Sequence, residues 1–196
     1  MSDIAAVIAL HYQNEVLHPA GLIRLGVDDE ARRGAVVAQA QRLLGAARAR
    51  GLPLVHVRIA FPAGHQGVQT NAPIFRNVVR SGAMIEGSWG CAFHEGLAPE
   101  GDEAIVTHAR VNAFYDSPLE MVLRRLGATR LIMAGVATNS VVEHSARHAA
   151  DMGYDVVVAS DACSAARVDV HEAALFNLSL VGEVSTVDAL FGGAGA

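Results

Sequence analysis

Ile4-Ala5-Ala6-Val7-Ile8-Ala9-Leu10 is a short, continuously apolar and partly β-branched run, the pattern of a strand buried on both faces of a parallel sheet. A helical period follows. Between Asp28 and Arg50 the apolar residues fall at Val36/Val37, Ala40, Leu43/Leu44 and Ala47; the acidic Asp28, Asp29 and Glu30 stand at the end where the helix dipole favours anions, and Gly51-Leu52-Pro53 stops the pattern. Leu54 to Ala60 reads as a second strand. Ile105-Val106, Leu131 to Val136 and Val156 to Ala159 supply three more, each near a helical stretch: Ser117 to Leu126, Ser140 to Met152 and Val170 to Val181. Repeated βα units predict an α/β fold, a three-layer, Rossmann-like sandwich with a central parallel sheet flanked by helices.

The stretch from Pro62 to Glu103 breaks this rhythm: it is long, rich in Gly, Pro and Asn, and carries Trp89, the only tryptophan. Loops of that length are usually functional. No repeat, low-complexity tract or linker interrupts the chain, so residues 1–196 read as a single domain whose Gly-Gly-Ala-Gly-Ala end is a frayed tail.

With 196 residues, 52% of them hydrophobic and 18% charged, the chain has ample material for one buried core. All 15 of its Lys+Arg residues are arginines, which excludes Schiff-base and lysine-base chemistry. A formal charge of −5 with scattered arginines leaves no basic stripe, so neither nucleic acid nor an anionic membrane is an expected partner. Ile4 to Leu10 is too short to span a bilayer and lacks the cationic flank of a signal peptide; the expected location is the cytoplasm. Cys91 and Cys163 are read as reduced thiols, and no CxxC or zinc-finger spacing occurs.

In an open parallel sheet the ligand crevice lies beyond the carboxyl ends of the strands. The residues there are His11, Tyr12 and Gln13; Arg58 and Phe61; His108 and Arg110; Ala137, Thr138, Asn139 and Ser140; Asp161 and Cys163. Imidazole has the side-chain pKa nearest neutrality, and histidines at two strand ends can converge as an acid–base couple. The plainer reading of any one histidine is a hydrogen bond to neighbouring backbone, and a pair weakens it. Gly135-Val136-Ala137-Thr138-Asn139-Ser140-Val141 runs from a strand into a helix, where unpaired N–H donors suit an oxyanion or carboxylate; Thr138 or Asn139 equally suits a helix cap. His144 and His148 are four apart, the spacing of a two-histidine metal face, but no glutamate lies between them and no third ligand is placed by sequence. No metal or cofactor is expected. Cys163, at a strand end, reads as packing.

These pieces together resemble the isochorismatase-like hydrolase family, which includes nicotinamidases, carbamoylsarcosine amidases and isochorismatases. The resemblance runs from Ala5 to Leu190 and rests on Val7 to Glu15, Gly87-Ser88-Trp89-Gly90, Arg110-Val111-Asn112-Ala113-Phe114, Ala134 to Asn139, and Ser160-Asp161-Ala162-Cys163-Ser164 followed by His171. The amidases of the family use an aspartate, a lysine and a nucleophilic cysteine at positions that read His11, His108 and Val141 here. Valine has no nucleophilic atom, so an acyl-enzyme is closed at that position. The family's metal-binding loop is not evident, since Arg58-Ile59-Ala60-Phe61-Pro62 resembles the metal-free branch. The resemblance also implies a cis peptide before Ala137, an oxyanion hole from the N–H groups of Ala137 and Val141, and a homodimer or homotetramer. Isochorismatases lack the cysteine and cleave a vinyl ether, so the crevice supports non-covalent chemistry.

The resulting expectation is a non-covalent hydrolase of a small polar molecule, with an amide- or imide-type C–N bond or an enol ether as its target. His11 and His108 act as the couple, one neutral and one available to be protonated near pH 7. Arg58 and Arg110 are candidate carboxylate clamps, Arg110 being equally suited to a structural ion pair, and Phe61, Trp89 and Phe114 are candidate pocket walls beside Thr138, Asn139 and Ser140. Ser140 as a nucleophile ranks lower, because one residue along a helix turns the side chain by roughly 100° from the Val141 position. The non-enzyme alternative is an inactive pseudo-hydrolase that binds a small ligand or partner.

Overall fold

The structure, a computed structural model, describes residues 4–23 and 29–192. Asp28, read above as part of an acidic helix start, and residues 193–196 of the Gly-rich tail lie outside the described residues. Six parallel strands form one sheet in the order β3-β2-β1-β4-β5-β6. They are β1 (Ala5–Leu10), β2 (Leu54–Ile59), β3 (Ala104–His108), β4 (Arg130–Gly135), β5 (Asp155–Ala159) and β6 (Glu183–Ser185). The apolar run that opens the chain occupies the centre, and Ala6 to Leu10 are all buried, which is why its sequence shows no polar alternation.

Helices cover the sheet as α1 (Asn14–Leu17), α2 (Glu30–Ala49), α3 (Pro73–Ser81), α4 (Leu119–Leu126), α5 (Glu143–Asp151), α6 (Val168–Leu178) and α7 (Val187–Phe191). The Asp29 side chain caps α2 by accepting from Arg32 N–H, and the helix turns Val36, Ala40, Leu43, Leu44 and Ala47 inward. The α7 helix packs back on α2, while α5 and α6 pack on each other. Among the described residues no helix is long and apolar enough to cross a membrane.

The chain runs β1 to β2 to β3 toward one edge, then returns to place β4 on the other side of β1. The topological switch therefore lies between β1 and β4, where a crevice opens beyond the carboxyl ends. Register aligns those ends, with Leu10 opposite both Val57 and Gly135, and Ile59 opposite His108.

Several features differ from the sequence expectation, among them the short helices α1 and α7, for which no helical pattern was read. Strand β6 was not anticipated, since Glu183–Ser185 is a three-residue edge strand without an apolar run. The stretch from Pro62 to Glu103 contains α3, started by Pro73 and ended by Gly82 at φ 70°. The helix read from Ser140 begins instead with a π-type turn over Thr138–Val142, and α5 follows from Glu143.

Candidate active site

His11 leaves the end of β1 with φ at 56°, a left-handed conformation that a residue with a bulky side chain adopts only when its surroundings impose it. They do. His11 N–H donates to Val57 carbonyl at 2.9 Å, and Gln13 N–H donates to the His11 carbonyl at 2.7 Å. The fully buried Gln13 amide then ties three segments together: its Nε2 donates to the carbonyls of Ile59 (2.9 Å) and Cys91 (2.8 Å), and its Oε1 accepts from Ile59 N–H (2.9 Å). Tyr12 Oη donates to Ala162 carbonyl at 2.6 Å, fixing the same turn from the other side.

So held, His11 meets His108, the last residue of β3, across the end of the intervening β2. Their Nε2 atoms are 2.5 Å apart, and both residues are buried. One Nε2 must donate and the other accept. His108 Nδ1 is buried without a well-aligned partner, although the main chain at Asn112 lies near enough to favour a proton on the ring. The tautomers assigned from these contacts put Nδ1–H on His108 and Nε2–H on His11, leaving the Nδ1 lone pair of His11 free. That atom makes no hydrogen bond among the described residues and, unlike His108 Nδ1, is not sealed from solvent.

Burial pushes the His11 pKa well below its ordinary value, with His108 adding to the effect, and burial takes His108 down to about 4. Burial thus shifts both rings toward the neutral form, against the expectation that one of them is available to be protonated near pH 7.

His11 lines a narrow cavity of about 50 Å3. Its walls are mostly apolar: Ile23, Ile59, Val111, Val136, and Phe75 and Val78 from α3. Ala137 and Ser140 also line it, as does Arg110. The Val136–Ala137 peptide is cis, and Ala137 N–H donates to no backbone carbonyl among the described residues. Ser140 lines the cavity, whereas the Val141 side chain is buried and does not line it. The Thr138 hydroxyl pairs with His171 Nδ1 at 2.8 Å, and its N–H donates to Ser164 carbonyl at 2.8 Å, which anchors the turn.

Other candidates lie elsewhere. Arg58 is drawn off by Thr107 (2.8 Å) and Glu86 (3.0 Å) and does not line the cavity. Trp89 is 53% exposed and stands edge-on to His18. Phe114 stacks on His148 under Tyr154, and Phe61 packs against His65; neither lines the cavity. Asn139 sits on an outer hollow with His144, and Thr138 is turned toward His171. Sequence identifies these aromatic residues by type alone, whereas their distance from His11 depends on how the stretch from Pro62 folds.

Among the described residues no group of three or more His, Cys, Asp or Glu side chains is placed to hold a metal ion. Burial raises both thiols, that of Cys163 to about 12. Sequence reasoning missed α3 as a wall, and it missed Glu15, whose buried carboxylate accepts from the N–H groups of Leu22 and Met84.

Comparison with known proteins agrees with this architecture. The isochorismatase domain matches residues 5–189. Ureidoacrylate amidohydrolase RutB of Methylobacterium radiotolerans is 31% identical over 197 residues, covering 93% of this chain and 76% of the relative. Its counterpart in Stutzerimonas stutzeri is 30% identical, covering 94% and 80%. Among solved structures, an isochorismatase hydrolase of Oleispira antarctica superposes with a TM-score of 0.80 at 27% identity, covering 98% of each chain. An isochorismatase family protein of Desulfovibrio vulgaris superposes at 0.85 with 26% identity, covering 96% and 97%. The match across nearly the whole chain, on a parallel sheet that opens its crevice between β1 and β4, makes this protein a member of the isochorismatase family of hydrolases.

Proposed function

We propose that the protein hydrolyses a C–N bond in a small amide-type molecule by histidine-assisted attack of water, without an acyl-enzyme on cysteine. The observation that carries this reading is the His11–His108 contact at the edge of a small, largely apolar cavity. His108 Nε2 accepts the Nε2–H of His11 and orients that ring, so that His11 Nδ1 takes a proton from water as the hydroxyl attacks the carbonyl carbon. The carbonyl oxygen turns to the N–H groups of Ala137 and Val141 as it gains charge. The same His11 proton then passes to the leaving nitrogen as the C–N bond breaks. Both relatives named above are amidohydrolases, which favours an amide-type bond over an enol ether. The residue that the resemblance places at the nucleophile position, Val141, has no reactive atom, and the chain has no lysine. Phe176 and Leu180, at 74% and 76% exposure, offer an apolar face to the homodimer or homotetramer that the resemblance implies.

The test is turnover of amides, carbamates, imides and enol ethers by the unmodified protein, by the alkylated protein and by His11→Asn. Activity that survives alkylation and falls about 10²- to 10⁴-fold in the variant is the expected result. Loss on alkylation overturns the mechanism in favour of a thiol, and silence across the panel from folded protein favours the ligand-binding pseudo-hydrolase.

A further inference from the structure

Thr138 stands between Ala137 and Ser140, which line the cavity, yet does not line it itself. At the start of a helix a threonine hydroxyl ordinarily turns back to cap the unpaired N–H groups of its own first turn. Here no side chain caps the turn over Thr138–Val142, and the N–H groups of Ala137 and Asn139 donate to no backbone carbonyl among the described residues. The Thr138 hydroxyl is drawn the other way, to Nδ1 of His171 on α6 at 2.8 Å. Thr138 is fully buried, and His171 is the one partner its hydroxyl has among the described residues. His171 is itself held, since its N–H donates to Arg167 carbonyl at 3.1 Å in the first turn of α6. Burial, and the nearby guanidinium of Arg32, which donates to Ala165 carbonyl at 3.1 Å, keep the ring below the ordinary histidine value. A neutral ring leaves Nδ1 able to accept the Thr138 O–H.

We propose that His171 is a positioning residue for the hydrolysis: by holding the Thr138 hydroxyl it keeps that group off the N–H donors of the turn and aims those donors at the reacting carbonyl oxygen. This rests on the hydrolase reading above. His171 does not line the cavity and acts through Thr138. The turn has two anchors at this one residue. Thr138 N–H, bonded to Ser164 carbonyl at 2.8 Å, holds the main chain at a point, and the bond from hydroxyl to imidazole stops the turn from swivelling about it. Donors to a developing oxyanion work only when they are aimed beforehand, and a displacement of about 1 Å costs up to about 100-fold in rate.

The test compares Thr138→Val, which keeps the side-chain shape and removes the hydroxyl, with His171→Ala, the double variant, His171→Asn and His171→Gln. The asparagine amide reaches the place of Nδ1, whereas that of glutamine reaches toward Nε2. Steady-state kinetics use the amide that the panel identifies. Calorimetry follows binding of ethylboronic acid, which takes up hydroxide to become a tetrahedral anion, and urea midpoints confirm that each variant is folded. The expected result is a kcat lower by about 10- to 100-fold in Thr138→Val, His171→Ala and His171→Gln, with KM within about twofold of the unmodified protein. His171→Asn recovers most of the loss, and the double variant is no worse than either single one, because both remove the same bond. A loss that asparagine does not recover, single losses that multiply in the double variant, or a kcat indifferent to His171 overturns this inference and leaves the hydrolase reading standing. With no amide turned over, boronate binding that weakens in the same order supports the inference and overturns the hydrolase reading. Boronate binding that ignores that order, or fails, in a protein without turnover overturns both.

Discussion

Nε2 of His11 and Nε2 of His108 share one hydrogen across 2.5 Å, so the two rings form a unit in which each fixes the tautomer of the other. A doubly charged pair is excluded at that separation. His108 does not line the cavity that His11 faces, so on the proposed mechanism it acts through His11.

Replacing His108 by Gln keeps an acceptor near His11 Nε2 but loses the fixed ring geometry. The expected outcome is a kcat lower by about 10- to 100-fold with KM nearly unchanged, because substrate binding does not involve this position. A rise in KM with kcat retained would place His108 in binding instead. The measurement is steady-state kinetics on whichever amide the panel identifies.

The buried histidines also predict how stability depends on pH. His11, His108 and His56 are all held below the ordinary histidine value, burial being the largest cause in each. A depressed histidine binds its proton more readily in the unfolded chain. Its contribution is therefore fully present above about pH 6.5 and is lost as pH falls toward the folded-state value. For His108, falling to about 4, the loss across that window is about 3 kcal/mol. Urea midpoints should drop steeply between pH 6.5 and 4.5, while kcat/KM stays level from pH 7.5 to 6. A flat midpoint over that range would show that these rings are not buried neutral.

Ser140 tests the choice of nucleophile. One residue's rotation along an α-helix turns it away from the position of Val141, yet Ser140, within the π-type turn over Thr138–Val142, lines the cavity wall. With water as nucleophile, Ser140→Ala removes one hydrogen bond to substrate and lowers kcat/KM by about 10-fold. A loss beyond about 10³-fold, with a burst of product in the unmodified protein, would make Ser140 the nucleophile.

Ser140 also marks where sequence stops being sufficient. The strands β1, β4 and β5 were legible as continuous apolar runs because burial on both faces removes polar alternation, whereas β2 and β3, which carry His56, Arg58 and Thr107, were read from shorter apolar stretches; the strand-end rule then pointed to His11 and His108. Glu183–Ser185 escaped because an edge strand need not be apolar, and α3 escaped because its inward residues, Phe75 and Val78, are sparse within a Gly- and Asn-rich stretch. The cavity walls were illegible for a related reason. Phe61, Trp89 and Phe114 have the right chemistry, but Phe75 and Val78 of α3 line the cavity with His11 and those three do not.

The motif Gly87-Ser88-Trp89-Gly90 makes the same point as a stability prediction. An added Cβ at Gly90 would lie 2.0 Å from Glu15 Oε2 and 2.6 Å from its Cδ. That carboxylate cannot simply swing aside, because Oε1 accepts from Leu22 N–H at 2.8 Å and Oε2 from Met84 N–H at 3.2 Å, and Glu15 is buried. Moving it breaks contacts that hold Ile23 and Met84 at the cavity wall. Gly90→Ala should therefore destabilise by about 2–4 kcal/mol and lower kcat/KM as well. Gly87 supplies the comparison: it has φ 80° but no atom within 4 Å of an added Cβ, so Gly87→Ala costs about 1 kcal/mol through backbone conformation alone. Trp89→Ala, at a half-exposed position, should fall within about 1 kcal/mol of the unmodified protein. Urea denaturation of the three variants orders them. If Trp89→Ala proved the most damaging, the tryptophan would be holding the loop in place of the Glu15 carboxylate.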